Sequence, residues 1–245
     1  MFQSFWADFH VHTIYSDGKA NPKAMVDAAQ CAGLQTVALT DHGPRNIGVG
    51  ISTSKEYLRL KREILSREFP AIKVLVGAEA NIVGLNGEID IPLNVIDKLD
   101  ILLVGLHPFI LPTSLKAVRD FVLANQFYKY NDYWKHKAIE VNTRTLIAAM
   151  EKYKIFCIAH PGLGMPVDIE ALASACARVG TAWEINVGHL FQKPKELAKV
   201  ARYGVNFVVN SDSHQPSTVG RLEEGLKLIR TAGISPEQVI NLRQI

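Results

Sequence analysis

A closed barrel of parallel β-strands ringed by α-helices is the α/β fold class that this sequence predicts. Three observations predict it. Short apolar runs alternate with helix-patterned segments about seven times along the chain, the signature of βα units. The runs are apolar throughout, as strands covered on both faces are. No linker, repeat or low-complexity tract divides the 245 residues, and one barrel suits that length. The chain is therefore read as a single domain over 1–245. An open doubly wound sheet is the alternative, but the first strand is followed by no Gly-rich phosphate fingerprint, which weighs against its dinucleotide-binding version.

The elements follow in order. Phe5 to His12 is the first strand, and Ser16-Asp17-Gly18 turns the chain. Asn21 caps a helix with Pro22 at its first position, and Gly33 stops it. Leu34 to Thr40 is the second strand, ending in Asp41-His42-Gly43. A charged helix runs from about Ser54 to Glu68. Ile72 to Val76 is the third strand, ending in Gly77-Ala78-Glu79. Asn86-Gly87 between apolar runs signals a hairpin, read as lying over the strand ends. Leu99 to Leu106 is the fourth strand, ending in His107. Thr113 to Lys154 holds two or three helices, the last capped near Asn142 and Thr143. Ile155 to Ala159 is the fifth strand, ending in His160-Pro161-Gly162. A helix from Asp168 to Val179 stops at Gly180. Thr181 to Asn186 is the sixth strand, Pro194 to Arg202 a helix, and Val205 to Asn210 the seventh strand, ending in Ser211-Asp212-Ser213-His214. A final helix starts near Thr218 and a short one after Pro236.

Composition removes several function classes. Hydrophobic residues make up 48%, enough for a large core, and the net charge of +3 exerts no strong pull on nucleic acid. Cys31, Cys157 and Cys176 form no C-x-x-C pair, which reads as a reduced, cytoplasmic protein without disulfides. No basic segment followed by an apolar run marks a signal peptide. The most apolar stretch, Ile101 to Leu111, is too short to span a bilayer and contains His107 and Pro108.

The candidate ligands sort by position. Alternation along the first strand puts Asp8, His10 and His12 on one face and Ala7, Phe9 and Val11 on the other. His10 and His12 close strand one, and Asp17 follows. His42 lies past strand two, Glu79 closes strand three, His107 strand four and His160 strand five. Asp212 and His214 follow strand seven. In a parallel barrel these strand ends share one rim, where active sites are built. Six of the eight histidines land there. One zinc takes about four ligands. Six imidazoles and three carboxylates therefore suit two or three divalent ions, and two ions roughly 3.5–4 Å apart can clamp an oxyanion. Three carboxylates leave such a cluster positive and attractive to phosphate. Imidazole and carboxylate donors suit zinc, manganese or iron.

The motifs D-F-H-V-H-T, T-D-H-G, G-A-E-A-N, G-L-H, A-H-P-G and N-S-D-S-H, in this order, resemble the PHP (polymerase and histidinol phosphatase) superfamily, especially its stand-alone bacterial phosphatases. The resemblance covers essentially the whole chain. It implies a distorted (βα)7 barrel with a trinuclear metal centre at the C-terminal end of the strands, hydrolysing phosphoesters. It implies as ligands His10, His12, Asp17, His42, Glu79, His107, His160, Asp212 and His214, with Glu79 bridging. Glu79, Asp212 and His214 stand as the catalytic members.

Residues around that set carry secondary expectations. Asp8 and Asp41, beside ligands, are read as orienting imidazoles. Glu184 and Asn186 share a face at the end of strand six; they could reach the rim or serve as structural hydrogen-bonding groups. Arg45 is the best-placed cation for a phosphate, with an ordinary surface arginine as the alternative and Arg144 and Lys19 behind it; His189 is a candidate substrate contact or part of a solvated loop. His136, between Lys135 and Lys137, reads as surface. Phe127 to Trp134 interleaves aromatics with lysine, which could stack on single strands or pack on the barrel. The functional expectation is a metal-dependent phosphomonoesterase on a small substrate, in which a metal-bound hydroxide attacks phosphorus in line. The alternatives are an exonuclease on nucleic acid ends, histidinol phosphatase, and a non-catalytic metal-stabilised module. No membrane partner is expected.

Overall fold

Seven parallel strands lie side by side in chain order in the computed structural model, which describes residues 4–243. Residues 1–3 and 244–245 of the expected 1–245 domain lie outside it. The strands are β1 (Ala7–Val11), β2 (Thr36–Leu39), β3 (Lys73–Asn81), β4 (Ile101–Gly105), β5 (Cys157–Ile158), β6 (Ala182–Asn186) and β7 (Phe207–Asn210). Between and after them run α1 (Pro22–Cys31), α2 (Lys55–Leu65), α3 (Leu93–Ile96), α4 (Leu115–Ala117), α5 (Leu123–Phe127), α6 (Asp132–Lys152), α7 (Ile169–Val179), α8 (Pro194–Ala201) and α9 (Glu223–Ala232). The barrel nearly closes past the strand ends, where His12 N–H donates to the Ser213 carbonyl at 2.8 Å and Ser213 N–H to that of His10 at 3.2 Å.

Packing divides the strand faces. Ala7, Phe9, Ala38, Leu103, Cys157, Ala182 and Val208 form one buried cluster drawn from six strands, the apolar floor of the barrel. Glu79 is in register with Leu103 and Glu184 with Val208. Paired residues of a parallel ladder share a face, so both carboxylates point inward, just above that floor. Outside, Val37, Leu39 and Val76 pack on Met25, Val26 and Ala29 of α1 and Leu60 and Ile64 of α2.

The first strand departs from simple alternation. Ala7 pairs with Thr36 and Asp8 with Val37, but Val11 pairs with Leu39. Three steps on β1 thus match two on β2, a bulge of one residue. Ala7 and Phe9 join the interior floor and Val11 the outer layer. His10 and His12 still reach the centre, while Asp8 shares the outer face with Val37. The expected grouping of Asp8 with the two imidazoles is corrected here: the inserted residue shifts the phase between them.

Several boundaries also differ. Asn21 Oδ1 caps α1 by accepting from Ala24 N–H at 2.9 Å, and Gly33 ends it at φ +76°, as read. The helix expected to start near Asn142 is instead α6, capped by Asn131, whose Oδ1 accepts from Trp134 N–H at 3.0 Å. Asn142 lies buried in mid-helix, exchanging hydrogen bonds with Asn125 at 2.7 Å and donating to the Pro166 carbonyl at 2.9 Å. Its amide is satisfied by tertiary partners, so it does not compete for the helix backbone. The hairpin forms: Ile82 bridges Ile89. Its Gly87, at φ +75°, abuts the α6 backbone, where a Cβ would meet Ala149 N at 2.3 Å. The tip packs on that helix, while Ile82 N–H at its base donates to the Gly105 carbonyl at the end of β4 at 3.3 Å. No helix among the described residues is long and apolar enough to cross a membrane.

Candidate metal centre

Glu79, fully buried at the inner end of β3, is the hub of the site. Its Oε2 lies 2.7 Å from His42 Nδ1, 3.3 Å from His10 Nε2 and 3.7 Å from His12 Nε2. Its Oε1 faces another pair, His160 Nε2 at 2.6 Å and His107 Nε2 at 3.3 Å. Asp212 Oδ1 approaches His12 Nε2 at 3.2 Å and His10 Nε2 at 3.5 Å. Asp17 Oδ2 lies 3.3 Å from His214 Nε2 and 3.7 Å from His42 Nε2. All nine sequence-predicted ligands thus meet in one cluster.

Three subsets bring single donor atoms within 4.8 Å of one another: His12, Asp17, His42 and His214; His10, His12 and Asp212; His42, Glu79 and His107. The hydrogen bonding tests whether metal fits them. His10 Nε2, His12 Nδ1, His42 Nδ1, Glu79 Oε2 and both ring nitrogens of His107 are buried without a hydrogen bond. His42 Nδ1 and Glu79 Oε2 are 2.7 Å apart yet lack hydrogen-bond angles. Buried polar atoms are normally paired; orphans that converge from several strands fit cations as their missing partners.

Electrostatics agrees. Burial alone would raise the Glu79 pKa, but His107, His10, His42 and His160 around it hold it well below the usual carboxylate range. Burial would raise Asp17 too, yet His214, His42 and His12 bring it down to about 2. Burial and the neighbouring His42 lower His12 to about 3, leaving a neutral imidazole with one ring-nitrogen lone pair to offer. At His10 burial opposes charge, but Asp212, Glu184 and Glu79 raise the pKa well above normal; the pocket favours positive charge there. Two residues hold left-handed backbone to aim inward: His160 at φ +30° and Asp212 at φ +50°. Such conformations cost on the order of 1–3 kcal/mol and cluster at functional sites.

A further layer supports these side chains. Glu184 Oε1 accepts from His10 Nδ1 at 2.8 Å and from Asn210 Nδ2 at 2.8 Å. Its Oε2 accepts from His160 N–H at 2.5 Å and Asn186 Nδ2 at 3.1 Å. Asn186 Nδ2 also donates to Asp212 Oδ2 at 3.0 Å. A carboxylate on the far imidazole nitrogen fixes its tautomer and aim. The E-I-N alternation of β6 signalled this face; Asn210 carried no such signal.

Other expectations are corrected. Asp8 accepts from the backbone N–H groups of Ser211 at 3.1 Å and Gly220 at 3.0 Å, and Asp41 from Thr13 N–H at 2.7 Å and the Ser16 hydroxyl at 2.6 Å. They fasten the loops that carry ligands; neither accepts from an imidazole among the described residues. Arg45 Nη1 donates to the carbonyls of Leu111 at 3.0 Å and Pro112 at 3.3 Å, so its guanidinium braces a loop. His189 does reach the centre, with Nε2 3.3 Å from Asp212 Oδ2 and its ring half exposed. His136 is exposed on α6 as read, and Arg144 pairs with Glu140 there. Lys19 is exposed beside His214, whose carbonyl accepts its backbone N–H at 2.7 Å. Of the aromatic stretch, Tyr128 and Trp134 pack against the core, while Tyr130 and Tyr133 are exposed.

The PHP domain model matches residues 8–215. The chain belongs to the PHP domain family. It is 31% identical to a probable phosphatase of Thermoanaerobacter sp., over 96% of this chain and 89% of that one. It is 32% identical to a probable phosphatase of Caldicellulosiruptor bescii, over 95% and 89%. Its fold is similar to that of histidinol phosphate phosphatase from Lactococcus lactis, solved with zinc, L-histidinol and phosphate, with a TM-score of 0.64 at 20% identity over 94% of each chain.

The PHP centre leaves no room at Gly105. A Cβ there would stand 2.8 Å from Glu79 Oε1, 3.0 Å from His107 Cε1 and 3.1 Å from His160 Cε1. Gly105→Ala is therefore expected to push these three side chains apart and to lower turnover at least about tenfold, since small misplacements are costly. Circular dichroism should remain that of the parent. Kinetics and metal content of the purified variant check both halves.

Proposed function

We infer that this PHP chain, acting as one domain over 1–245, is a metal-dependent phosphatase that hydrolyses a small phosphomonoester at a trinuclear centre. The observation that carries this reading is Glu79, whose two oxygens face different sets of imidazoles at 2.6–3.7 Å. A carboxylate so placed can be shared between cations. His10, His12, Asp17, His42, His107, His160, Asp212 and His214 would complete the donor set. Zinc, manganese and iron suit such donors, and the Lactococcus relative contains zinc with a small ligand and phosphate.

When bound, the ions supply Lewis-acid charge and a water that ionises near neutral pH. The chain's residues do the rest. Glu79 offsets part of the cationic charge from a site closed to solvent. Glu184 holds the His10 ring through Nδ1. Asp212, held by Asn186, places its other oxygen toward His10 and His12. His214 donates through Nδ1 to the Asp212 carbonyl at 2.9 Å and so turns Nε2 toward Asp17. The partly exposed Asp17 and His214 form the side from which a phosphate enters.

The test is a screen of metal-reconstituted protein against phosphomonoesters, phosphodiesters and short oligonucleotides. Small phosphomonoesters are expected to turn over fastest. Preferential release of nucleotides from oligonucleotide ends would replace this reading by the exonuclease, and no turnover of any class by the metal-loaded protein would leave the non-catalytic module.

A further inference from the structure

The centre is sealed at its heart and exposed at its rim. Glu79 and His10 are sealed, while the Asp17 and His214 side chains keep 26% and 32% of their exposure. The organic part of a phosphomonoester must project past this exposed rim, so the loops around it meet the leaving group.

The loops after β2 and β4 leave the strand ends just past His42 and His107 and are bonded to each other. Ile47 N–H donates to the Phe109 carbonyl at 2.8 Å, and Leu111 N–H to that of Arg45 at 2.9 Å. The Arg45 guanidinium binds the Leu111 and Pro112 carbonyls, and the buried Asp90 accepts from Arg45 N–H at 3.0 Å. The pair is thus cross-braced, and the braces consume its charged groups. What it shows to solvent is apolar: Phe109, two residues past His107, is 63% exposed and Ile47 is 54% exposed.

A second apolar group comes from the loop after β6. Leu190 is 53% exposed and held at φ +45°, a conformation that a bulky residue adopts at a cost. It follows His189, whose ring lies 3.3 Å from Asp212. The turn is pressed on the end of β7, where a Cβ at Gly188 would meet the Ser211 carbonyl at 2.5 Å. Phe109 and Ile47 sit on one braced pair of loops past His107 and His42, and Leu190 adjoins His189; apolar groups beside a few convergent polar ones suit ligand recognition.

The geometry points to a substrate whose leaving group is apolar or aromatic, gripped by Phe109, Ile47 and Leu190. This rests on the phosphatase reading and refines it: the centre takes the phosphate, and the loops choose the ester. A sugar or amine leaving group gains no ion pair from the braced pair, because Arg45 and Asp90 are already bound to backbone.

The experiment is calorimetric titration of the zinc-reconstituted protein with two inert probes, phenylphosphonate and methylphosphonate. Phenylphosphonate is expected to bind about tenfold or more tightly. In the double variant Phe109→Ser/Leu190→Ser that advantage should fall to about twofold, with methylphosphonate binding unchanged. Both positions are exposed, so the fold should not suffer. Phe109→Leu should keep part of the advantage. Equal binding of the two probes by the parent, or an advantage that survives the double variant, overturns the inference. If phosphomonoesters are hydrolysed but the probes bind equally, only the leaving-group inference fails. If the zinc-loaded protein neither binds the probes nor hydrolyses any phosphomonoester, the phosphatase reading falls and takes this with it.

Discussion

Glu79→Gln is expected to lower phosphoester turnover by more than about 100-fold while the barrel remains folded. The amide keeps the volume and one oxygen but loses the negative charge. Five imidazoles surround that carboxylate, and its two oxygens lie 2.7 Å from His42 and 2.6 Å from His160. A cation shared through Glu79 would bind weakly or drift, and misplacement of the reacting groups by an ångström can cost about 100-fold. The strand ladder and the floor beneath Glu79 are untouched, so far-ultraviolet circular dichroism should match the parent. Metal content should fall. Near-normal turnover with a full metal complement would remove Glu79 from the reaction centre.

Glu184→Gln is the second large effect, expected at about 10–100-fold in metal affinity or activity. Glu184 is fully buried and accepts from four donors: His10 Nδ1, Asn210 Nδ2, Asn186 Nδ2 and the His160 N–H. An amide NH2 in place of one oxygen would confront donors with a donor. The His10 ring would lose its orientation, and His160 the anchor of its strained backbone. Asp8→Asn serves as the control. Asp8 accepts from the backbone N–H groups of Ser211, Gly220 and, at 3.4 Å, His10 but from no imidazole among the described residues, so its loss should lower the melting temperature more than it lowers metal affinity. Metal titration and thermal melts of both variants read the difference.

Much of this was legible in the sequence, and the reasons are specific. In a parallel barrel the C-terminal ends of all strands share one rim, so a histidine or acid after each apolar run converges with the others without any knowledge of the loops. That logic brought His10, His42, Glu79, His107, His160 and Asp212 together. It failed at Asp8, because one inserted residue in β1 changes the phase of the strand and nothing in D-F-H-V-H announces a bulge. It failed at Arg45 because a guanidinium near a phosphate centre reads as a ligand, whereas its partners are carbonyls more than 60 residues away. It failed at Asn142 because an asparagine bonded to another helix looks, in one dimension, like a cap. The supporting role of Glu184 lay half-visible in the alternation of β6; deciding it required seeing His10 across the barrel.

The most direct test of the account is to add zinc or manganese stepwise to the metal-free protein while following bound metal by elemental analysis and turnover of a phosphomonoester in the same samples. The shared position of Glu79 predicts little turnover at one ion per chain and a steep rise as occupancy passes about two and approaches three. Full turnover at a single bound ion per chain, or saturation below about two ions, would contradict a multinuclear centre built around Glu79.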